Sequence, residues 1–199
     1  KFKNFKKLRI ITNKKNLGVS RSRNIGLANS KGKYIAFLDS DDYWKKNKLD
    51  TQIRFMKRNS LDFCYCSYEI LNKLSIKKHI VKKIYSYDDL INKCDIGLST
   101  VIMKSSLKKI GQFPKLKTQE DYALWLKYAR HGVRMMGVSK PLVCWRNTPG
   151  SLSKNVLQKI KDSFKVYYQY ENKNFLESLF RILKLSINKI KKNFSNYIG

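Results

Sequence analysis

Three carboxylates lie close together in the sequence, at Asp39, Asp41 and Asp42. The chain has 14 acidic and 43 basic residues, a formal net charge of +29. A group of three acidic residues is therefore a local exception in a strongly basic chain. Neighbouring carboxylates repel one another unless a cation or a protein base neutralises them. Their oxygens are also the hard ligands that Mg²⁺ prefers. The group therefore indicates a cation site, and the alternative is a polar turn in which Asp42 caps the next helix.

The acidic group follows a short segment with the character of a buried strand. Residues 34–38 are apolar or aromatic throughout, which is typical of a strand covered on both faces. Ligands of open α/β sheets bind beyond the carboxyl ends of such strands. We therefore predict that Asp39 and Asp41 lie at the ligand-binding edge of a sheet.

A second acidic pair, Glu120 and Asp121, begins the clearest helix in the middle of the chain. This helix is predicted to run from Thr118 to His131, with Gly132 ending it. A carboxylate at this position can act as a general base in catalysis. The alternative is structural, because Thr118 and Asp121 have the spacing of a capping box, in which Asp121 bonds the Thr118 backbone.

Two arginines and an asparagine are further candidates. Arg23 and Asn24 lie in a predicted helix that Ser20 caps and Gly32 ends. The planar guanidinium fork of an arginine suits phosphate or a nucleotide base, although a solvated helix face is the alternative. Arg146 ends a predicted strand, and we weigh a contact with a diphosphate against a surface position.

The predicted elements give an α/β class, with strands and helices alternating up to about residue 72 and a more mixed second half. The predicted strands are residues 8–12, 34–38, 61–70, 100–103, 133–138 and 142–146. In the strand 61–70, alternation predicts that Phe63 and Cys64 lie on opposite faces. The predicted helices are residues 20–31, 46–58, 105–110 and 118–131, a short one after the Ser86–Asp89 capping box, and a helical pattern from Val156 to the end.

Composition narrows the classes of protein. A hydrophobic content of 42% is that of a folded domain. The four cysteines form no CxxC pair, so we expect no zinc site and a reduced, cytoplasmic protein. The sequence contains no run of about 18 apolar residues, so it predicts no membrane span. The charge of +29 favours an anionic partner, but nucleic acid is the less favoured one, because the acidic cluster would repel its phosphates.

Three segments in order, Asn16–Gly26, Tyr34–Asp42 and Gln119–Leu126, resemble the family 2 glycosyltransferases, in particular bacterial enzymes of surface-polysaccharide synthesis. The resemblance covers about residues 8 to 153. It implies the GT-A fold, a Rossmann-like mixed sheet flanked by helices. It also implies transfer of a sugar from a nucleotide-diphosphate donor to a glycan or lipid-linked glycan hydroxyl, with inversion of the anomeric configuration. An inactive glycosyltransferase fragment acting as a scaffold or membrane partner is the alternative.

The resemblance also implies roles for the candidates. Asp39 and Asp41 stand at the DxD motif, where Asp41 would bind Mg²⁺ or Mn²⁺ and Asp39 would lie toward the ribose or the metal. Asp121 would be the catalytic base, with Glu120 orienting the site. Arg23, Asn24, Asp39 and Arg146 would bind the nucleotide sugar. Gly97–Thr100 matches an acceptor-side segment, and Trp125 is expected to be a core residue.

Family members begin with a β-α-β unit that carries an acidic base-reading segment, and no such unit precedes Lys1. We therefore expect an N-terminally incomplete domain. On its own the 199-residue chain is expected to fold poorly or to be inactive. The donor base, sugar, acceptor and linkage are not predicted.

The chain is predicted to divide into a partial GT-A domain, residues 1–153, and a basic helical extension, residues 154–199. In the extension, apolar residues recur every three or four positions and lysines fill the rest of the helix. Two interpretations stay open: an amphipathic helix on an anionic membrane surface, which would make the protein peripheral at the inner face of the cell membrane, or a stripe docked on the domain. The stripe comprises Leu176, Phe180, Leu183, Ile187, Ile190 and Phe194.

Overall fold

The computed structural model of the chain describes residues 8–71, 75–93, 95–146 and 155–195. The helices of these residues are α1 (Val19–Asn29), α2 (Lys48–Arg58), α3 (Tyr87–Leu90), α4 (Glu120–Arg130), α5 (Val156–Lys165) and α6 (Phe175–Ser195). The strands are β1 (Tyr34–Ala36), β2 (Tyr43–Trp44), β3 (Phe63–Leu71), β4 (Ile76–His79), β5 (Ile102–Lys104) and β6 (Met135–Arg146). Two 3₁₀ turns cover Leu98–Thr100 and Ser105–Lys109, and a π-helical turn, Val166–Tyr170, continues α5.

The six strands form one mixed sheet, in the order β1-β5-β3-β6-β2, with β4 also paired to β3. The β3–β6 pair is parallel and the other pairs are antiparallel. β1 therefore lies near one edge and β2 at the other, although the acidic turn joins them in sequence. This mixed α/β architecture confirms the predicted class.

The side chains of β3 alternate between two layers of core, as the sequence predicts. Phe63 and Tyr65 belong to the largest buried cluster, which also contains Trp125 of α4. Cys64 packs on the opposite face with Met56 of α2. Helices therefore cover both faces of the sheet, and the long parallel β3–β6 pair lies in its interior.

Three predicted strands differ from the structure. Residues 8–12 are not in a strand, and Ile10 is 73% exposed. No strand of the described residues pairs with this β-prone run. The predicted strands 133–138 and 142–146 are parts of one strand, β6. Its register with β3 shifts between Cys66 and Ser67, and the irregularity accommodates Pro141, which has no N–H to donate.

Of the residues predicted to cap helices, some do so in the structure and others do not. Ser86 and Asp89 form the predicted capping box of α3. α1 instead begins after Gly18 without a side-chain cap, and Ser20 is buried, its hydroxyl donating to the Leu116 carbonyl at 2.6 Å. The prediction that Ser20 caps α1 is therefore wrong, because a contact with a distant segment takes its hydroxyl.

Lys48, the first residue of α2, is completely buried. Its Nζ has no hydrogen-bond partner among the described residues and lies 4.3 Å from the centroid of the Trp44 ring. Burial lowers its pKa from 10.5 to about 8, since removal from water disfavours the charged form. The cation–π contact recovers only part of this cost.

Replacing Lys48 by Met is expected to raise the free energy of unfolding at pH 7 by about 2 kcal/mol. Between pH 8 and 10.5 the unfolded chain holds a proton that the folded chain has lost, so the native protein gains stability with rising pH in this window. The gap between the two proteins should therefore shrink above pH 8 in urea titrations. A gap that stays constant with pH would contradict the buried-amine explanation. Lys57→Met, an exposed change on the same helix, is the matched control.

Candidate active site

The acidic group forms a tight turn after β1 that is tied to the 3₁₀ turn at Leu98–Thr100. The Asp42 N–H donates to the Asp39 carbonyl at 3.1 Å. Ser99 accepts from the Asp39 N–H at 3.1 Å and donates its hydroxyl to the Asp42 carboxylate at 2.6 Å. Asp42 does not cap α2, whose N-cap residue is Asn47. It instead holds the turn in place, which supersedes the capping interpretation.

Asp42 also belongs to the electrostatics of the turn. Burial raises its pKa, and the charges of Asp39 and Asp41 raise it further, whereas the hydrogen bond from Ser99 and the backbone N–H of Arg146 lower it. The mutual repulsion expected from the sequence is therefore present. Three carboxylates in one turn make a region of negative potential that a cation would relieve.

Arg23 of α1 joins the two acidic motifs. Its guanidinium donates to the Asp39 carboxylate at 2.7 Å and forms a second, short ion pair with Glu120. The Arg23 side chain is 17% exposed and that of Glu120 only 7%. An arginine fork that holds two carboxylates at once is a charge-assisted arrangement with fixed geometry. Arg23 therefore links the turn after β1 to the start of α4.

Glu120 and Asp121 both lie at the N-terminus of α4 with raised pKa values. Burial, followed by the charge of Asp121, raises the pKa of Glu120 to about 7, against the lowering effect of Arg23. Burial also raises the pKa of Asp121, which Arg23 opposes and Asp39 reinforces. Asp121 accepts a hydrogen bond from the Tyr122 N–H at 2.8 Å. A raised pKa suits a general base, because it lies nearer the working pH.

The capping box between Thr118 and Asp121 does not form. The Thr118 N–H and hydroxyl both donate to Asp162 of α5 at 2.9 Å. The N-cap residue of α4 is Gln119, in the left-handed conformation with φ of 64°, where a non-glycine residue is strained. Gln119 in turn donates to the Ser163 hydroxyl at 2.9 Å. The turn before the acidic pair is thus held by α5, and the Asp121 carboxylate is not used by Thr118.

The two other candidates, Asn24 and Arg146, contact segments next to the acidic residues. Asn24 donates to the Phe113 carbonyl at 2.8 Å and accepts from the Phe113 N–H at 2.9 Å, so its amide fixes the segment that precedes α4. Arg146 ends β6, with its N–H donating to Asp42 at 3.3 Å and its guanidinium 5.5 Å from the Tyr43 ring centroid. Trp125 is a core residue as predicted, 1% exposed.

The carboxylates of the turn after β1 fit a metal ion that a bound ligand would also coordinate. Among the described residues, no group of three His, Cys, Asp or Glu side chains could hold a metal by itself. Mg²⁺, however, usually takes one or two carboxylates and completes its shell with phosphate and water. Asp39 and Asp41 supply two carboxylates, which is within the number that Mg²⁺ usually takes. Asp42 adds negative charge to the turn.

Comparisons with known proteins show the family of this chain. The family model described as glycosyl transferase family 2 matches residues 1–110. This chain belongs to family 2 of the glycosyltransferases. It is 32% identical, over 96% of its length and 76% of the relative, to WfgD of Escherichia coli, a UDP-Glc:alpha-D-GlcNAc-diphosphoundecaprenol beta-1,3-glucosyltransferase. It is 30% identical to TuaG of Bacillus subtilis, a glycosyltransferase assigned to teichuronic acid biosynthesis, over 94% of this chain and 75% of TuaG.

Solved structures show that the fold of this family 2 protein is GT-A. Residues 1–349 of Staphylococcus aureus TarS, crystallised with UDP-GlcNAc, superpose with a TM-score of 0.62 at 22% identity. The match covers 77% of this chain and 46% of the TarS chain. A second TarS structure gives 0.60 over 85% of this chain. The relatives establish a bacterial surface-polysaccharide glycosyltransferase family.

Two residues important to the site were missed from the sequence. Ser99 lies in the segment matched only as acceptor-side, and no pattern indicated that it would bind both Asp39 and Asp42. Asp162 lies in the C-terminal helical part, where no sequence pattern distinguished it from other polar residues. In the structure it is 1% exposed. Each acts by binding a segment distant in sequence, 57 positions away for Ser99 and Asp42 and 44 for Asp162 and Thr118.

Proposed function

We propose that the domain containing this chain catalyses metal-dependent, inverting transfer of a hexose-type sugar from a nucleotide-diphosphate donor to the hydroxyl of a glycan or lipid-linked glycan. The observation that supports the proposal is the double ion pair of Arg23, which joins Asp39 of the strand-end turn to Glu120 at the start of α4. The UDP-GlcNAc complex of TarS supports a uridine diphosphate donor. The name of WfgD supports a polyprenyl-diphosphate acceptor.

The donor diphosphate is proposed to bind beside the acidic turn. Asp41 and Asp39 would hold Mg²⁺ or Mn²⁺, which would neutralise the charge that develops on the leaving diphosphate. Arg23 orients Asp39 through their ion pair, and its guanidinium is proposed to bind a phosphate oxygen, which its planar fork of donors suits. Arg146, whose N–H bonds Asp42, is proposed to contact the same diphosphate, whereas Asn24 is proposed to act by positioning the segment at Phe113.

Asp121 is proposed to be the general base. As the acceptor oxygen attacks the anomeric carbon, its proton passes to the Asp121 carboxylate, while the bond from that carbon to the diphosphate oxygen breaks and its electron pair leaves with the nucleotide. Attack from the face opposite the leaving group inverts the anomeric centre. Glu120, paired with Arg23, orients the start of α4 and does not take the proton.

A lipid-linked acceptor would place the reaction at the inner face of the cell membrane. Among the described helices, none is both long and apolar enough to cross a bilayer. The family relationship supports synthesis of a bacterial surface polysaccharide. Peripheral binding to an anionic membrane surface is therefore proposed as the partner interaction, and nucleic acid is not proposed as a partner.

Binding of UDP together with Mn²⁺ tests the donor half of the proposal. In the native protein, UDP at about 100 times its Kd should stabilise the fold by about 2.7 kcal/mol, seen as a rise in Tm that requires the metal. Asp41→Ala should remove the metal-dependent part of the rise, because one of two proposed ligands is lost. Asp50→Ala, which changes an exposed carboxylate on α2, should keep it.

Two results would contradict the donor site. A rise in Tm that is equally large without the metal would remove the cation from the proposal. An unchanged rise in Asp41→Ala would move the metal to other residues. A protein that only binds nucleic acid would show no metal-dependent response to UDP at all.

A further inference from the structure

The outward face of α6 is apolar over most of its described length. Leu176 is 76% exposed, Phe180 64%, Leu183 61% and Ile187 51%. These are the residues of the predicted stripe, so the described part of the stripe is not docked on the domain. Ser178, on the other side of the helix, is completely buried. A stripe this apolar on a monomer's surface indicates an interaction site.

A second apolar stripe on α5 continues this surface. Leu157 is 81% exposed and Ile160 46%, and Phe164 follows one turn later. Phe164 packs edge-on against Phe175 of α6, with ring centroids 5.5 Å apart. Between the two helices lies an open groove of about 460 Å³. The two stripes therefore form one surface, here called the α5–α6 face, with a groove along its middle lined by Ile160, Phe164, Phe175, Leu179 and Ile182.

Basic side chains border the same face. Lys161 and Lys165 of α5 line the groove itself, and Lys184 of α6 is exposed beside Leu183. Lysines of this kind extend apolar stems along an apolar surface and present the ammonium at its edge. An apolar stripe bordered by cations is complementary to the acyl layer and headgroups of anionic lipid.

The inward face of α5 reaches the proposed catalytic turn. Asp162 and Ser163 are buried and bind Thr118 and Gln119, directly before the acidic pair of α4. Leu157 and Lys161 point away from this contact, since both are exposed. One helix therefore fixes the proposed base relative to the α5–α6 face.

We infer that the α5–α6 face is a docking surface for an anionic membrane, with the groove receiving part of the acyl layer. Docking by this face holds the start of α4 at a fixed position relative to the bilayer, where a lipid-linked hydroxyl arrives. The use of this surface in catalysis rests on the proposed function. Lipid binding itself needs no donor, acceptor or metal.

A second copy of the chain is the competing occupant. In a symmetric dimer the same patch is present on both subunits, so the lysines that line the groove of one copy would approach those of the other. A net charge of +29 on each copy adds to that repulsion. An anionic bilayer converts the same charges into attraction, which is why we commit to lipid.

Co-sedimentation with vesicles of phosphatidylglycerol, compared with phosphatidylcholine, tests the inference. The full chain should bind the anionic vesicles and bind the neutral ones weakly. The double change Leu157→Ser with Leu176→Ser should weaken binding at least about tenfold, because two highly exposed apolar side chains no longer enter the bilayer. Lys161→Gln with Lys165→Gln should weaken it by about fivefold per lysine, and added salt should reduce the remaining effect.

Matched changes outside the face serve as controls. Ile76→Ser alters a 65% exposed apolar residue on β4, and Lys57→Gln an exposed lysine on α2, and both should bind like the native protein. Equal losses in the controls, or no binding by folded native protein, would overturn the inference. A dimer that dissociates in the Leu157→Ser, Leu176→Ser variant while vesicle binding is unchanged would overturn it in favour of self-association. Vesicle binding without a UDP response would support this inference and defeat the proposed function.

Discussion

Replacing Asp121 by Asn is expected to lower kcat of the native protein by roughly 10²–10⁴-fold, the contribution of a positioned general base. The asparagine keeps the size of the side chain and can still accept a hydrogen bond from the Tyr122 N–H, but it cannot take the acceptor proton. The affinity for UDP with Mn²⁺ should stay within about twofold, because the proposed ligands Asp39 and Asp41 are untouched. Steady-state rates and a UDP titration on the same preparation measure both quantities.

The pH dependence provides a second readout of Asp121. Burial raises the pKa of its carboxyl, and a base works only when deprotonated. The rate should therefore fall as the pH falls through this raised pKa, at a higher pH than for an ordinary aspartate. The Asn variant should lose this acidic limb. An Asn variant with unchanged kcat, or with weakened UDP binding of the same size, would remove Asp121 from the role of base. Asp50→Asn is the matched control on an exposed carboxylate.

Replacing Arg23 by Met is expected to lower the free energy of unfolding by roughly 3 kcal/mol. The change leaves the buried Glu120 carboxylate without its counter-charge, and removing one partner of a buried pair leaves an uncompensated charge. Protonation of Glu120 absorbs part of the cost. Loss of Arg23 raises the pKa of Glu120 beyond about 7, so the variant should recover stability as the pH falls toward 4.5. Urea titrations at pH 7.5 and pH 5 measure the difference.

A double-mutant cycle with Glu120→Gln separates this explanation from simple loss of packing. The neutral glutamine should remove most of the penalty of Arg23→Met, giving a coupling energy of roughly 1–3 kcal/mol. Arg54→Met, which alters an exposed ion pair with Asp50, should change stability by less than about 1 kcal/mol. Additive effects of Arg23→Met and Glu120→Gln would show that the ion pair does not hold the two motifs together.

Sequence patterns correctly predicted the features of this fold that depend on neighbouring residues. Alternation along β3 assigned Phe63 and Cys64 to opposite faces, because successive side chains point to opposite sides of a strand. The Ser86–Asp89 box was read from four neighbouring residues and formed as expected. The helical spacing of the C-terminal stripe was also confirmed, although spacing alone left open what the stripe faces.

Predictions failed where a distant segment competes for a group. Thr118 and Asp121 have capping-box spacing, yet Asp162 takes both donors of Thr118. Residues 8–12 have β propensity, but a strand forms only where another strand accepts its hydrogen bonds. The double contact of Arg23 is of the same kind, since its partners lie 16 and 97 positions away. Motif resemblance indicated these residues as candidates, but only the fold shows that they meet.

Acceptor-dependent release of UDP is the measurement that tests the central claim most directly. The native protein, supplied with Mn²⁺, a panel of UDP-hexoses and a polyprenyl-diphosphate-linked GlcNAc acceptor, should release UDP from one donor in proportion to a new glycolipid of inverted anomeric configuration. The Asp121→Asn and Asp41→Ala variants should release it far more slowly. Folded protein that binds UDP with Mn²⁺ yet forms no glycoside with any donor would contradict the account, as would a product that retains the donor configuration.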